Sequence, residues 1–69
     1  MPDIVIHLGR TPHTVAEGCT LADLVESLGH RPEAVATGRN GDFVRRELRP
    51  VTVLLDGDQV SIFQPIVGG

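Results

Sequence analysis

The chain has 69 residues, 41% of them hydrophobic and 22% charged, which suits one small globular domain and disfavours disorder. A net charge of −3 argues against nucleic acid, whose binding relies on Lys and Arg neutralising phosphates. With only two aromatics, Phe43 and Phe63, the small aliphatic core leaves little material for a deep catalytic pocket, so a carrier or adaptor is favoured over a self-contained enzyme.

Met1-Pro2-Asp3 does not resemble a signal peptide, and no apolar run approaches the roughly 20 residues of a membrane span. Ile4, Ile6 and Leu8 alternate along an apolar first strand. Gly9-Arg10 turns the chain, and Thr14-Val15-Ala16 returns as a second, antiparallel strand. Cys19, alone, cannot form an internal disulfide, which fits a reducing, cytoplasmic setting. Thr20-Leu21-Ala22-Asp23 has the pattern of a capping box, with the Asp23 carboxylate near the positive end of the helix. Leu21, Leu24, Val25 and Leu28 follow as one apolar stripe, and Gly29 is placed to end the helix in the left-handed conformation.

His30 to Glu33 reads as a loop, Ala34–Thr37 as a third strand, Asn40-Gly41 as a tight reversal and Phe43-Val44 as a short fourth strand. Arg45–Arg49 is expected to be irregular or a single turn ended by Pro50. Val51–Leu55 extends briefly, Asp56-Gly57-Asp58 turns, and Gln59–Phe63 forms the last strand. Hairpin, helix, two short strands and a final strand fit one helix lying across a mixed sheet of four to five strands, an α+β arrangement. It buries Ile4, Ile6, Leu21, Leu24, Leu28, Val60 and Ile62 together. With the first and last strands parallel at the sheet centre, the topology is a β-grasp, the ubiquitin-like fold.

The expected organisation is a β-grasp domain over residues 1–63 and a flexible tail over 64–69, Gln64-Pro65-Ile66-Val67-Gly68-Gly69. Without a Cβ, the last two residues let backbone approach catalytic groups closely. Five extended residues from Pro65 reach roughly 16 Å, enough to carry Gly69 into a partner. Its α-carboxylate, with a pKa of about 3.3–3.7, is ionised at neutral pH and needs activation before it can be transferred. Phe63 lies on the face opposite the core set. With Ile66 and Val67 it is a candidate docking patch.

Fold order and tail together resemble the ThiS-like sulfur carriers, the ubiquitin-fold proteins of the ThiS/MoaD family that serve thiamine biosynthesis. The resemblance covers nearly the whole chain. It rests on Thr20-Leu21 opening a helix through Leu24 and Leu28, on Asn40 followed by Phe43-Val44-Arg45, on Asp56-Gly57-Asp58-Gln59-Val60 with the strand to Phe63, and on Gly68-Gly69. Two features depart from the family: Val44 stands before Arg45-Arg46 where Pro usually precedes the Arg, and the N-terminal hairpin is slightly long.

The resemblance implies a protein cosubstrate with no bound cofactor and no catalytic side chain of its own, monomeric when free. An E1-like (ThiF-like) enzyme uses ATP to adenylate Gly69. A cysteine-derived persulfide donor then supplies sulfur to make a C-terminal thiocarboxylate, and a ThiG-like thiazole synthase receives it. Gly68 gives steric access. The same fold and ending also suit a molybdopterin-synthase small subunit, or a ubiquitin-like modifier conjugated through Gly69.

Other candidates are weaker. Cys19 precedes the helix and reads as a structural thiol rather than a redox-active one. His7, His13 and His30 share no metal-ligand spacing with it. Arg45-Arg46 reads either as a contact for acidic partner residues or as solvated surface, and Asp56 and Asp58 are accounted for by turn chemistry.

Overall fold

Alternating apolar residues in β1 (Asp3–Leu8) and β2 (Thr11–Ala16) pair antiparallel in the computed structural model, which describes residues 2–64. The register Ile4↔Val15, Ile6↔His13 and Leu8↔Thr11 gathers one face of the hairpin towards the core. Strand β2 starts at Thr11, before the expected Thr14, because Gly9, at φ 63°, lets the chain reverse in two residues and pairing resumes at once. Pro12 is tolerated because β2 is an edge strand.

The capping box forms as read. Thr20 Oγ1 accepts from Asp23 N at 3.1 Å, and Asp23 Oδ2 accepts from Thr20 N at 3.1 Å, opening helix α1 (Leu21–Ser27). Leu21, Leu24 and Val25 are buried, and Gly29 follows the helix at φ 80°.

Beyond the helix several boundaries move. Pro32–Ala34 is a 3-10 turn whose first position suits the fixed φ of proline, so β3 (Ala36–Arg39) starts later than Ala34. Asn40 and Gly41, at φ 51° and 87°, make the reversal into β4 (Asp42–Val44). Arg46–Val51 is a 3-10 segment with Pro50 inside it rather than ending it. Bonds from Leu48 N to Arg45 O and from Thr52 N to Arg49 O close turns on either side of the missing proline N–H. Val51–Leu55 forms no strand. It joins the entry of the helix through one bridge, Thr20↔Val53, and the backbone bonds Leu21 N to Thr52 O and Leu54 N to Cys19 O. These seat Leu54, 1% exposed, in the core.

Strand β5 (Gln59–Phe63) completes a five-stranded sheet in the order β2-β1-β5-β3-β4. It runs parallel to β1 through His7↔Gln59 and Leu8↔Val60, and antiparallel to β3. The helix lies across this mixed sheet, which is the β-grasp arrangement. Ile6, Leu21, Leu24, Val44, Leu54 and Val60 form the buried cluster. Ile4, Leu28 and Ile62 are half-buried at its margin.

Two buried polar side chains brace the frame. Asp58 accepts from Arg39 Nε at 2.7 Å, Asn40 Nδ2 at 3.1 Å and Leu55 N at 2.8 Å, tying the β3–β4 turn to the entry of β5. Burial opposes ionisation of this carboxylate. The hydrogen bonds from Arg39, Leu55 and Asn40, with the Arg39 charge, outweigh it and hold its pKa below the usual range. Arg49, 3% exposed, donates to Thr37 Oγ1 at 2.9 Å, Pro32 O at 2.8 Å and Val35 O at 2.6 Å. It thereby ties the first 3-10 turn and the residue that follows it to β3.

The cap and core give a graded stability series. Thr20→Ala should cost about 1 kcal/mol and Leu24→Ala about 2–5 kcal/mol in denaturant melts, the first from a lost cap and the second from a core cavity.

Asp58 adds an acid dependence. Its folded pKa is lowered, so its contribution is present above the unfolded value of about 3.9 and is lost as pH falls through the lower folded value. Urea melts from neutral to strongly acid pH should show Asp58→Asn much less stable than the parent near pH 7, with the gap narrowing in acid.

Candidate functional site

Strand alternation divides β5 between two surfaces. Val60 and Ile62 face the helix, while Ser61 and Phe63 face outward. Phe63 is 61% exposed, as its expected place opposite the core requires. The other aromatic, Phe43 on β4, is 73% exposed on the same outer face. The sheet register sets Phe43 beside Gly38 and Gly38 beside Ser61, so the two rings flank a strip with almost no side chain. This strip floors a shallow hollow of about 260 Å³. A Cβ on Gly38 would sit 3.2 Å from Asp42 O and 3.8 Å from Ser61 Cβ, so the hollow depends on glycine there.

Phe63 leads directly into Gln64, whose Nε2 lies 3.3 Å from His30 Nδ1. Ile66, Val67, Gly68 and Gly69, named from the sequence as docking, access and reacting residues, lie outside the described residues. The structure therefore describes the strand that precedes them. Sequence reasoning missed Phe43 and Gly38 as parts of this surface. The signal was present, since an exposed β4 aromatic opposite a β3 glycine follows from the Asn40-Gly41 turn, but it needed the hairpin register.

The remaining candidates are less productive. Arg45 and Arg46 are exposed at the end of β4, and Arg45 Nε approaches Glu47 Oε2 at 3.8 Å. A largely exposed pair of this kind contributes little to stability. Cys19 is half-buried, its Sγ directed to Thr20 O at 3.4 Å. Burial, and then the nearby Asp23 carboxylate, push its thiol pKa up, which keeps it protonated and unreactive. Among the described residues no three His, Cys, Asp or Glu side chains gather in a way that could hold a metal ion. No helix there is long and apolar enough to cross a membrane.

Comparison with known proteins supplies the context for this surface. The profile of the ThiS family matches residues 6–69. A thiazole synthase of Magnetococcus marinus is 41% identical over 64 residues, covering 93% of this chain but only 20% of that much longer protein. The sulfur carrier protein ThiS of Escherichia coli K12 is 39% identical over 54 residues, covering 78% of this chain and 82% of that one. The crystal structure of the thiamine biosynthesis protein ThiS from Geobacter metallireducens superposes with a TM-score of 0.82 at 29% identity, covering 96% of this chain and all of that one.

Proposed function

The chain belongs to the ThiS family, and from that membership we propose that it is a sulfur carrier of thiamine biosynthesis working through the carboxylate of Gly69. The observation that carries this reading is the family match running through the terminal residue, so that Gly68-Gly69 belongs to the shared pattern.

A carboxylate is a poor electrophile and holds no sulfur. In the proposed cycle an E1-like adenylating enzyme joins the Gly69 carboxylate to the α-phosphorus of Mg-ATP, and pyrophosphate leaves. A cysteine persulfide attacks the acyl carbon, and AMP leaves with the acyl–oxygen bond electrons. A thiol then reduces the resulting acyl disulfide, leaving a thiocarboxylate on Gly69. That sulfur is transferred to a ketone-derived intermediate on thiazole synthase, and the carboxylate is regenerated. Every catalytic side chain in the cycle belongs to a partner. This chain contributes a bare-backbone terminus and a surface for docking.

The thiazole synthase of Magnetococcus marinus, part of which aligns with this chain, supports direct transfer to such an enzyme. The outer face of β5 and β4 supports the docking half of the proposal. Two exposed rings astride Gly38 and Ser61 form a compact apolar patch at the root of the tail. Aromatic anchors of this kind commonly dominate binding energy.

Deleting Gly69 should leave the melt unchanged and abolish thiocarboxylate formation. Adding one residue should be nearly as damaging, because the acyl carbon moves about 3.5 Å from the reacting position. Gly68→Val should fail for want of space. Intact mass after incubation with adenylating enzyme, ATP and sulfur donor reads all three, sulfur for oxygen adding about 16 Da to the natural terminus. A normal yield from the extended chain, with its extra residue retained, would overturn the mechanism.

Phe63→Ala and Phe43→Ala should each weaken binding to the adenylating enzyme by roughly tenfold or more while shifting the melt little, as hot-spot aromatics exposed in the free chain would. Calorimetric titration and melting on the same preparations check this. A large loss of stability with affinity intact would remove the docking role.

A further inference from the structure

Asn40 is the single asparagine of the chain, and a glycine follows it at the tip of the β3–β4 hairpin. Both residues are exposed, and apart from chain neighbours no atom lies within 4 Å of where a Cβ on Gly41 would stand. Asparagine is chemically labile when the next main-chain nitrogen can reach its side-chain carbonyl, and a following glycine leaves that nitrogen unshielded. The Gly41 nitrogen attacks Asn40 Cγ and gives up its proton to solvent. A cyclic imide forms as the Cγ–Nδ2 bond breaks and Nδ2 leaves as ammonia. Water then opens the imide at either carbonyl, giving aspartate or a β-linked isoaspartate. The net exchange is NH for O, with water the one co-reactant.

The fold holds this reaction back. Asn40 Oδ1 accepts from Gln59 N at 2.9 Å, Asn40 Nδ2 donates to Asp58 Oδ1 at 3.1 Å, and Asn40 N donates to Gln59 O at 2.7 Å. Both ends of the amide are thus turned towards the entry of β5, whereas imide closure needs Cγ to turn back onto the Gly41 nitrogen. The same contacts make the product costly. Replacing Nδ2 by oxygen removes a donor and sets a carboxylate against Asp58 Oδ1, across a gap that a hydrogen bond now spans. Asp58 is only 6% exposed, and its firm remaining donors, Arg39 Nε and Leu55 N, both lie on Oδ2. Oδ1 would keep one long contact, to Arg39 Nη2 at 3.5 Å. A β-linked product would also lengthen the main chain inside a two-residue reversal that the Arg39↔Asp42 pairing closes tightly.

We infer that Asn40 is a deamidation site gated by this clasp: its amide is protected while it bridges Gln59 and Asp58, reacts when the β3–β4 turn opens, and leaves a carboxylate that keeps the turn from closing as before. The modification would record opening of the turn irreversibly, and its first consequence falls on the entry of β5.

Intact mass of the full chain, held at mildly alkaline pH in buffer and in guanidinium chloride, tests the site and its gate. With one asparagine present, a gain of about 1 Da reports on Asn40, and the tryptic peptide 40–45 locates it. The folded chain should gain it at least roughly tenfold more slowly than the unfolded chain, since reaction is confined to the open fraction. Asp58→Ala, held well below its melting temperature, should react several-fold faster than the folded parent. No gain in the unfolded chain would overturn the site. Equal rates folded and unfolded, or an unaltered rate in folded Asp58→Ala, would overturn the gating and with it the proposal.

A reciprocal pair of substitutions checks the product. Asn40→Asp should lower the melting midpoint at neutral pH by about 5 °C or more. It should cost much less when Asp58→Asn is already present, because the donor then stands on the β5 side and the acceptor on the turn. An equal loss in both backgrounds, or none in the parent, would place no repulsion at this contact and overturn the proposal.

Discussion

The short parallel pairing of β1 with β5 is the constraint on which the rest of the structure depends. Parallel neighbours cannot be joined by a hairpin, so the helix, the β3–β4 hairpin and the long return through Leu54 all lie between them. The Asp56-Gly57-Asp58 turn fastens that pairing. Asp56 Oδ1 accepts from Val5 N at 2.8 Å, Gly57 N donates to Val5 O at 2.8 Å, and His7 N donates to Asp58 O at 2.9 Å. The Asp58 side chain fastens the other flank of β5 through Arg39 and Asn40. Strand β5 is thus gripped on both sides at its start.

Placing β5 at the centre also divides its side chains between two surfaces. Val60 and Ile62 serve the core, while Ser61 and Phe63 remain on the far surface with Gly38 and Phe43. Exposing both aromatics of so small a protein forgoes core volume that their rings could have filled. The core is closed by aliphatic residues instead, with Val44 and Leu54 covering positions that neither Phe occupies. The buried cluster therefore draws on side chains other than the two aromatics.

The buried cation has a different logic. Arg49 has no carboxylate partner among the described residues, and its guanidinium is satisfied by a hydroxyl and two carbonyls. Its planar fork reaches the first 3-10 turn, the approach to β3 and Thr37 together, holding the segment after the helix against the segment after β4.

The sequence by itself determined the elements whose signals are local. Thr20 and Asp23 specify the cap, Asn40-Gly41 the reversal, and period-two alternation the faces of β1 and β5. The terminal glycines, with the family pattern around them, pointed to the carrier chemistry. Tertiary structure decided what depends on residues distant in the chain. Arg49 read only as part of an irregular segment and Asp58 as a turn residue, because nothing within a few positions of either reveals its partners, which lie 12 to 17 and 18 to 19 residues away apart from Leu55. The later boundaries moved for the same reason: Pro32 and Pro50 set local geometry, but whether a strand or a 3-10 turn followed was settled by which carbonyls Arg49 and the Cys19–Leu21 backbone could reach. The partnership of Phe43 with Phe63 likewise required β3 to lie between β4 and β5, since side-chain periodicity tells which face a residue takes and not which strand stands beside it.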